Sequence, residues 1–241
     1  MTLFCVQRNL LDMPRSTLTE AELDDFRKVI CDAAIRIFDE KGYRAVTMRT
    51  IAAEIRCSPM KAYRYFKNKE AIFDQVRRVS YSALTESARH AVEKADGDPI
   101  ASLAAFGEVY VGFALEKPAI YRILFELPQD EARPAGELSE EEKKGWEQLH
   151  GIFQQGIDAG VLSGDPNMLA HMFWAGVHGL LTLHMAGKLR YGQSLQSMIR
   201  PMISTLIAGS HASQNSPQPG KKPSSQGRRG TPRGTSELPE A

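Results

Sequence analysis

Eight cationic side chains, Lys41, Arg44, Arg49, Arg56, Lys61, Arg64, Lys67 and Lys69, fall within one short stretch of the chain against a single acid, Glu54. That stretch carries +7 where the formal total is only +1, so the remainder is net acidic at −6. A local excess of this kind can grip a polyanion through its phosphates, whereas the near-neutral whole gives no bulk attraction. Tyr63 and Tyr65 are interleaved with the cations and can donate hydroxyl hydrogen bonds to phosphate oxygens. The plainer alternative is a solvated face on a helical bundle, which is how most charge runs behave.

The elements around these residues favour the first reading. Thr19 and Glu22 have the spacing of a capping box, and Phe26, Ile30, Ala33, Ala34, Ile37 and Phe38 then fall on one helical face before Gly42 supplies a left-handed stop. Thr47 can cap a second helix over Met48 to Ile55, and Ser58 a third that opens on Pro59 and closes near Phe66. Only Arg56, Cys57 and Ser58 separate these two. Asn68 caps a fourth helix with Glu70 in its first turn, where a carboxylate suits the dipole. The result is a helix-turn-helix, and the tip of its recognition helix is suited in width to the DNA major groove. Thr47 and Lys69 stand at helix N-termini, whose free amides favour anions.

The remaining chain also reads as helical, so the fold class expected is all-α: an N-terminal three-helix helix-turn-helix domain followed by a helical C-terminal domain. Asp98-Pro99 opens a helix to about Glu116, Pro118 starts an aromatic and apolar segment through Tyr121 to Phe125, and a further helix runs from about Glu140 to Ala159. The acidic stretch from Pro128 to Glu142 reads as a loop or helix edge. Asp165-Pro166 begins a long segment free of Asp, Glu, Lys and Arg up to Gly187, and a last helix spans roughly Ser194 to Ile207. The expected divisions are residues 1–18 as a flexible N-terminus, 19–76 as the DNA-binding domain, 77–208 as the second domain, and 209–241 as a disordered tail of Ser, Pro, Gly and charge.

Several classes of function find no support. There is no Gly-x-Ser-x-Gly elbow, dinucleotide or phosphate-binding glycine loop, or zincin histidine pair, so no nucleophile or cofactor is positioned and neither enzyme activity nor a cofactor is expected. Cys5, Cys31 and Cys57 are odd in number and scattered, which fits a reducing cytoplasm better than a disulfide framework or zinc site. Cys57, in the turn beside cations, reads as a small packing residue rather than a redox switch. The N-terminus has no continuous apolar run for export. The uncharged segment from Pro166 includes His171, His178 and His184, so it reads as a helix surrounded by protein rather than a membrane span. No carboxylate or thiolate near those histidines completes a metal site.

The run AAIRIFDEKGYRAVTMRTIAAEIRCSPMKAYRYFKNKEAIFDQV resembles the DNA-binding domain of the tetracycline-repressor-like (TetR) family. The resemblance implies a homodimer on double-stranded DNA with a palindromic operator. Base edges would be contacted from Pro59, Met60 and Lys61, and phosphates gripped from Thr47, Tyr63, Tyr65 and Lys69. One position departs from the pattern: the inter-helix turn commonly holds glycine, and Arg56 stands there, either avoiding positive φ or strained, and able to add a phosphate contact.

A second stretch, FWAGVHGLLTLHMAGKL, looks like the C-terminal domain type of the same family marked by Trp, His and Gly, here Trp174, His178 and Gly179. It implies two C-terminal helices that pair with their twins, and an internal apolar cavity for a small-molecule effector. Phe106, Tyr110 and Phe113 form an aromatic stripe at helical spacing that, with Tyr121, Phe125, Trp174 and His178, is expected around that cavity. Such stripes are more often plain core. The function expected is a DNA-binding regulator, a repressor released by a small apolar effector. The alternatives are a DNA-binding dimer with no effector and, less compatibly, an enzyme. The spacing Gly156 to Gly160 imitates a membrane-helix dimer motif, but its polar surroundings make Gly160 a helix C-cap.

Overall fold

The computed structural model describes residues 20–127 and 139–210, and every regular element among them is helical. The capping residue expected at Thr19, the proposed flexible N-terminus, the loop up to residue 138 and the tail from residue 211 lie outside the described residues. The first helix, α1, spans Glu20–Lys41 and ends against Gly42 at φ +76°. A single 3-10 turn leads to α2 (Met48–Glu54), α3 (Pro59–Tyr63) and α4 (Lys69–Glu93). The C-terminal half holds α5 (Pro99–Glu116), α6 (Pro118–Phe125), α7 (Glu140–Asp158), α8 (Pro166–Met185) and α9 (Leu195–Gly209).

Apolar periodicity places two cores. Ile30, Ala33, Ala34 and Ile37 of α1 close on Ile51, Ala62, Ile72 and Phe73, forming the core of the N-terminal unit. Leu103, Tyr110, Tyr121, Phe153, Phe173, Val177 and Leu181 form the second. The division expected at residues 76 and 77 falls inside α4, which runs unbroken from one core into the other. The eight-residue α6 also serves both: Ala119 and Ile123 belong to the first core, Tyr121 to the second. Successive residues of a helix diverge by about 100° in direction, so one short helix between two bodies can fill both.

Elements end a little differently from the sequence expectation. The recognition helix α3 stops at Tyr63, and Phe66 beyond it is buried in the first core rather than helical. The acidic run is helical from Glu140, where Ser139 and Glu142 cap one another: Ser139 Oγ accepts from Glu142 N at 3.2 Å, and Ser139 N donates to Glu142 Oε2 at 2.6 Å. The last helix continues two residues past Ile207, to Gly209. The uncharged α8 buries Leu169, Ala170, Phe173, Val177, Leu180 and Leu181 but leaves Met168, Met172 and Leu183 exposed, so it is covered on one side rather than all round. Among the described residues it is α5 that is long and apolar enough by length and composition to cross a membrane; it packs against α4, α6, α7, α8 and α9.

Gly160 closes α7 at φ +69°, the left-handed stop expected of it. Gly156 has a separate reason: a Cβ there would lie 2.6 Å from Leu162 Cδ1 and 3.0 Å from its Cγ, and Leu162 is itself fully buried. Gly156→Ala should therefore cost about 2 kcal/mol through overpacking, read as a lower denaturant midpoint at unchanged m-value. A neutral result would mean that Leu162 turns aside freely.

Candidate nucleic-acid interface and internal cavity

The caps that create the interface are made as expected. Thr47 Oγ1 accepts from Thr50 N at 3.0 Å while Thr47 N donates to Thr50 Oγ1 at 2.9 Å, a reciprocal box built with threonine. Ser58 Oγ accepts from Lys61 N at 3.2 Å, and Asn68 Oδ1 from Ala71 N at 2.9 Å. Between α2 and α3 the chain turns by a Schellman motif, with Arg56 N donating to Ala53 O at 3.1 Å and Cys57 N to Ala52 O at 2.9 Å. This motif requires a left-handed residue, and Arg56 adopts φ +53°. Of the two outcomes the sequence left open, the strained turn is the one realised. Relief of about 1–2 kcal/mol of left-handed strain, less the extra freedom of an unfolded glycine, gives a net gain of about 0.5 kcal/mol for Arg56→Gly. Equilibrium urea unfolding would reveal it, and a loss of stability would mean that the arginine side chain holds the turn.

The expected contact residues divide into free and occupied. Pro59, Met60 and Tyr63 are exposed, Met60 at 74% and Tyr63 at 52%, as are Thr47 and Arg56. Lys61 Nζ sits 4.3 Å from the ring centroid of Phe26, and that ring packs 4.7 Å from Tyr65. Tyr65 is thus half-buried in a three-membered stack rather than free at the surface. Lys69 Nζ stands 3.8 Å from the Tyr43 ring centroid and donates to Tyr43 O at 3.4 Å, which fixes its ammonium at the start of α4. The lone acid of the stretch, Glu54, accepts from Arg36 Nε at 3.2 Å. Arg44, Arg49, Arg56, Arg64 and Lys67 are exposed and form no ion pair among the described residues. Cys57 is half-buried, its Sγ directed at Ser58 O at 3.4 Å.

A cavity of about 450 Å³ opens between α4, α5, α6, α7 and α8. Phe106, Tyr110, Phe125 and Trp174 line it as the sequence suggested. Phe113, Tyr121 and His178 do not: Phe113 lies under Lys117, whose Nζ is 5.7 Å from its ring centroid, and Tyr121 is completely buried one layer behind the wall. Helical spacing told which residues share a face but not how far round that face the cavity extends. The sequence reading missed Tyr81, Leu84, Trp146, Leu149 and His171 on the wall. The one available signal was the aromatic and apolar spacing on α4 and α7, which looked like ordinary core.

From the wall inward the polar groups form a hydrogen-bonded chain. Trp174 Nε1 donates to Tyr110 Oη at 3.1 Å, Tyr110 Oη lies 3.2 Å from Tyr121 Oη, and Tyr121 Oη lies 2.6 Å from His178 Nδ1. Indole can only donate, so Tyr110 Oη accepts from Trp174, and its own proton is left for Tyr121 Oη or for His178 Nδ1, 3.5 Å away; burial pushes both phenols up in pKa, so both keep their protons. Burial also holds His178 below the ordinary imidazole range, which favours the neutral ring. Among the described residues no group of three or more metal-ligating side chains converges.

Neutral His178 makes stability depend on pH. The unfolded imidazole titrates near about pH 6.5 and the folded one lower, so the stabilisation is full above that value and is lost as pH falls toward the folded pKa. Thermal melts at pH 7.5 and 5.5 should show a smaller acid-induced drop in His178→Gln than in the parent chain. Equal drops would place the titration elsewhere.

Three capped helices with a basic, solvent-facing tip, continued by a helical bundle around a cavity, define the helix-turn-helix regulator class. Two family descriptions match the chain: bacterial regulatory proteins of the tetR family over residues 30–76, and the tetracyclin repressor-like C-terminal domain over residues 103–206. The chain belongs to the TetR family of transcriptional regulators, a family of regulators and not of enzymes. It is 33% identical over 69 residues to the uncharacterised HTH-type transcriptional regulator YhgD of Bacillus subtilis (strain 168), covering 29% of this chain and 36% of that one. A second regulator of the same organism, YobS, is 26% identical over 108 residues, covering 45% and 52%. The chain thus spans between about a third and half of the length of these curated relatives. A TetR family transcription regulator from Marinobacter aquaeolei VT8 shares the fold, with a TM-score of 0.65 at 16% identity over 81% of this chain and 100% of that one.

Proposed function

We propose that this chain acts in the cytoplasm as a homodimeric, sequence-specific DNA-binding repressor whose operator affinity falls when a small apolar molecule fills the cavity. The observation that carries the DNA half is the row of exposed cations, without ion pairs among the described residues, around a capped recognition helix. Pro59, Met60 and Lys61 face base edges, Lys61 leaving Phe26 to do so, while Thr47, Arg56, Tyr63, Tyr65 and Lys69 hold phosphates. Exposed Met168, Met172 and Leu183 on α8 supply apolar surface for pairing α8 and α9 with their twins. A two-fold dimer reads half-sites about one helical turn apart, hence a palindromic operator.

The effector half is supported by the cavity and its connection to the DNA unit. A dimer without an effector calls for a cavity too small to hold one, and about 450 Å³ is within the range of ligand sites. Leu124 and Phe125 of α6 line the cavity, while Ile123, beside them, is fully buried in the first core. Arg122 of the same helix is ion-paired to Asp39 of α1 and lies over the Phe38 ring at 5.3 Å. Arg77 Nε of α4 donates to Ile123 O at 3.3 Å, and Tyr81 Oη to Leu124 O at 3.4 Å. A ligand that shifts α6 therefore displaces α1 and α4 together, and by linkage DNA lowers ligand affinity by the same factor. Selection of genomic fragments with purified protein, followed by titration of the selected duplex with and without a broad panel of apolar ligands, tests both halves. No enriched fragment would end the regulator reading, and unchanged affinity across the panel would end the switch.

A further inference from the structure

The recognition helix presents an exposed apolar side chain in its first turn. Met60, the second residue of α3, is 74% exposed, whereas the neighbouring ammonium of Lys61 is drawn back 4.3 Å over the Phe26 ring. Around this tip the exposed cations Arg44, Arg49, Arg56, Arg64 and Lys67 are free of ion pairs among the described residues, so the partner that seats here is a polyanion with an apolar spot under Met60. B-form DNA offers one such group in its major groove, the C5-methyl of thymine; no other base carries a methyl there. An unbranched thioether side chain adapts to such a methyl without the fixed angles that a hydrogen bond demands.

We propose that Met60 reads a thymine methyl in each half-site, making an A·T pair at that position a determinant of operator choice. The assignment rests on the DNA-binding reading above and deepens it, because it states which base chemistry the helix tip selects. Met60 makes this contact from the conformation it already holds, whereas Lys61 must first leave Phe26.

The test begins by selecting duplexes from a randomised pool with the full chain. A thymine should recur at one fixed position of each half-site. Replacing it with deoxyuridine removes the methyl alone and should weaken binding about fourfold in one half-site and about fifteenfold in both, the equivalent of one buried carbon each. Met60→Ala should bind the thymine and uracil duplexes equally, while Lys61→Ala should keep the difference. If no recurrent thymine responds to loss of its methyl, or if Met60→Ala retains the full penalty, the assignment is overturned while DNA binding stands. A pool in which nothing is enriched defeats the DNA-binding reading itself, and the Met60 assignment with it.

Discussion

Tyr121→Ala should lower folding stability by about 4 kcal/mol, the largest loss expected of any single substitution considered for this chain. Its ring is wholly buried, packed 4.9 Å from Phe125 and 5.7 Å from Tyr110, so truncation opens a cavity in an aromatic cluster. Its hydroxyl also sits between Tyr110 and His178, and removing it leaves His178 Nδ1 without its 2.6 Å partner. At about 3 °C per kcal/mol for a chain of this size, melting should fall by about 12 °C. Tyr121→Phe separates the two effects: it keeps the packing and should cost about 1–2 kcal/mol, the penalty of unpaired buried groups. If Tyr121→Phe is as damaging as Tyr121→Ala, the hydroxyl chain rather than the ring dominates this layer.

Lys69→Ala should weaken operator binding about tenfold per half-site and about a hundredfold for the dimer, equally for every DNA sequence. A hydrogen bond to a charged group contributes about 1.5 kcal/mol or more, and this ammonium is already fixed by the Tyr43 ring and carbonyl, so little ordering cost offsets it. Because phosphate contacts release counterions, the slope of log affinity against log salt should become shallower by about two. Filter binding at several salt concentrations measures both quantities. A loss confined to one sequence, or an unchanged slope, would show that Lys69 does not touch phosphate.

Local signals in the sequence carried the N-terminal unit almost completely. Thr47, Ser58 and Asn68 cap their helices because a side-chain oxygen three residues before an unpaired amide reaches it whatever the rest of the chain does. Gly42 and Gly160 stop helices through their own backbone freedom. The same locality exposed Arg56 as anomalous, although only the folded turn, closed by Cys57 N on Ala52 O, shows that its φ is positive. The cavity was legible only in part. Tyr110 and Phe125 are on its wall and Tyr121 is behind it, a distinction made by the depth at which α6 sinks between α4 and α5.

The sequence by itself determined the all-helical class, the caps, the basic helix-turn-helix and the family, because these depend on residue types at short fixed spacings. Only the tertiary structure decided which cations stay free, that Lys61 and Lys69 rest on Phe26 and Tyr43, that Trp146 and His171 meet Tyr110 across a cavity, and that α6 belongs to both cores. Those are contacts between residues tens of positions apart. Their geometry is set by how whole helices pack, and helical periodicity states which way a side chain points but not what it meets.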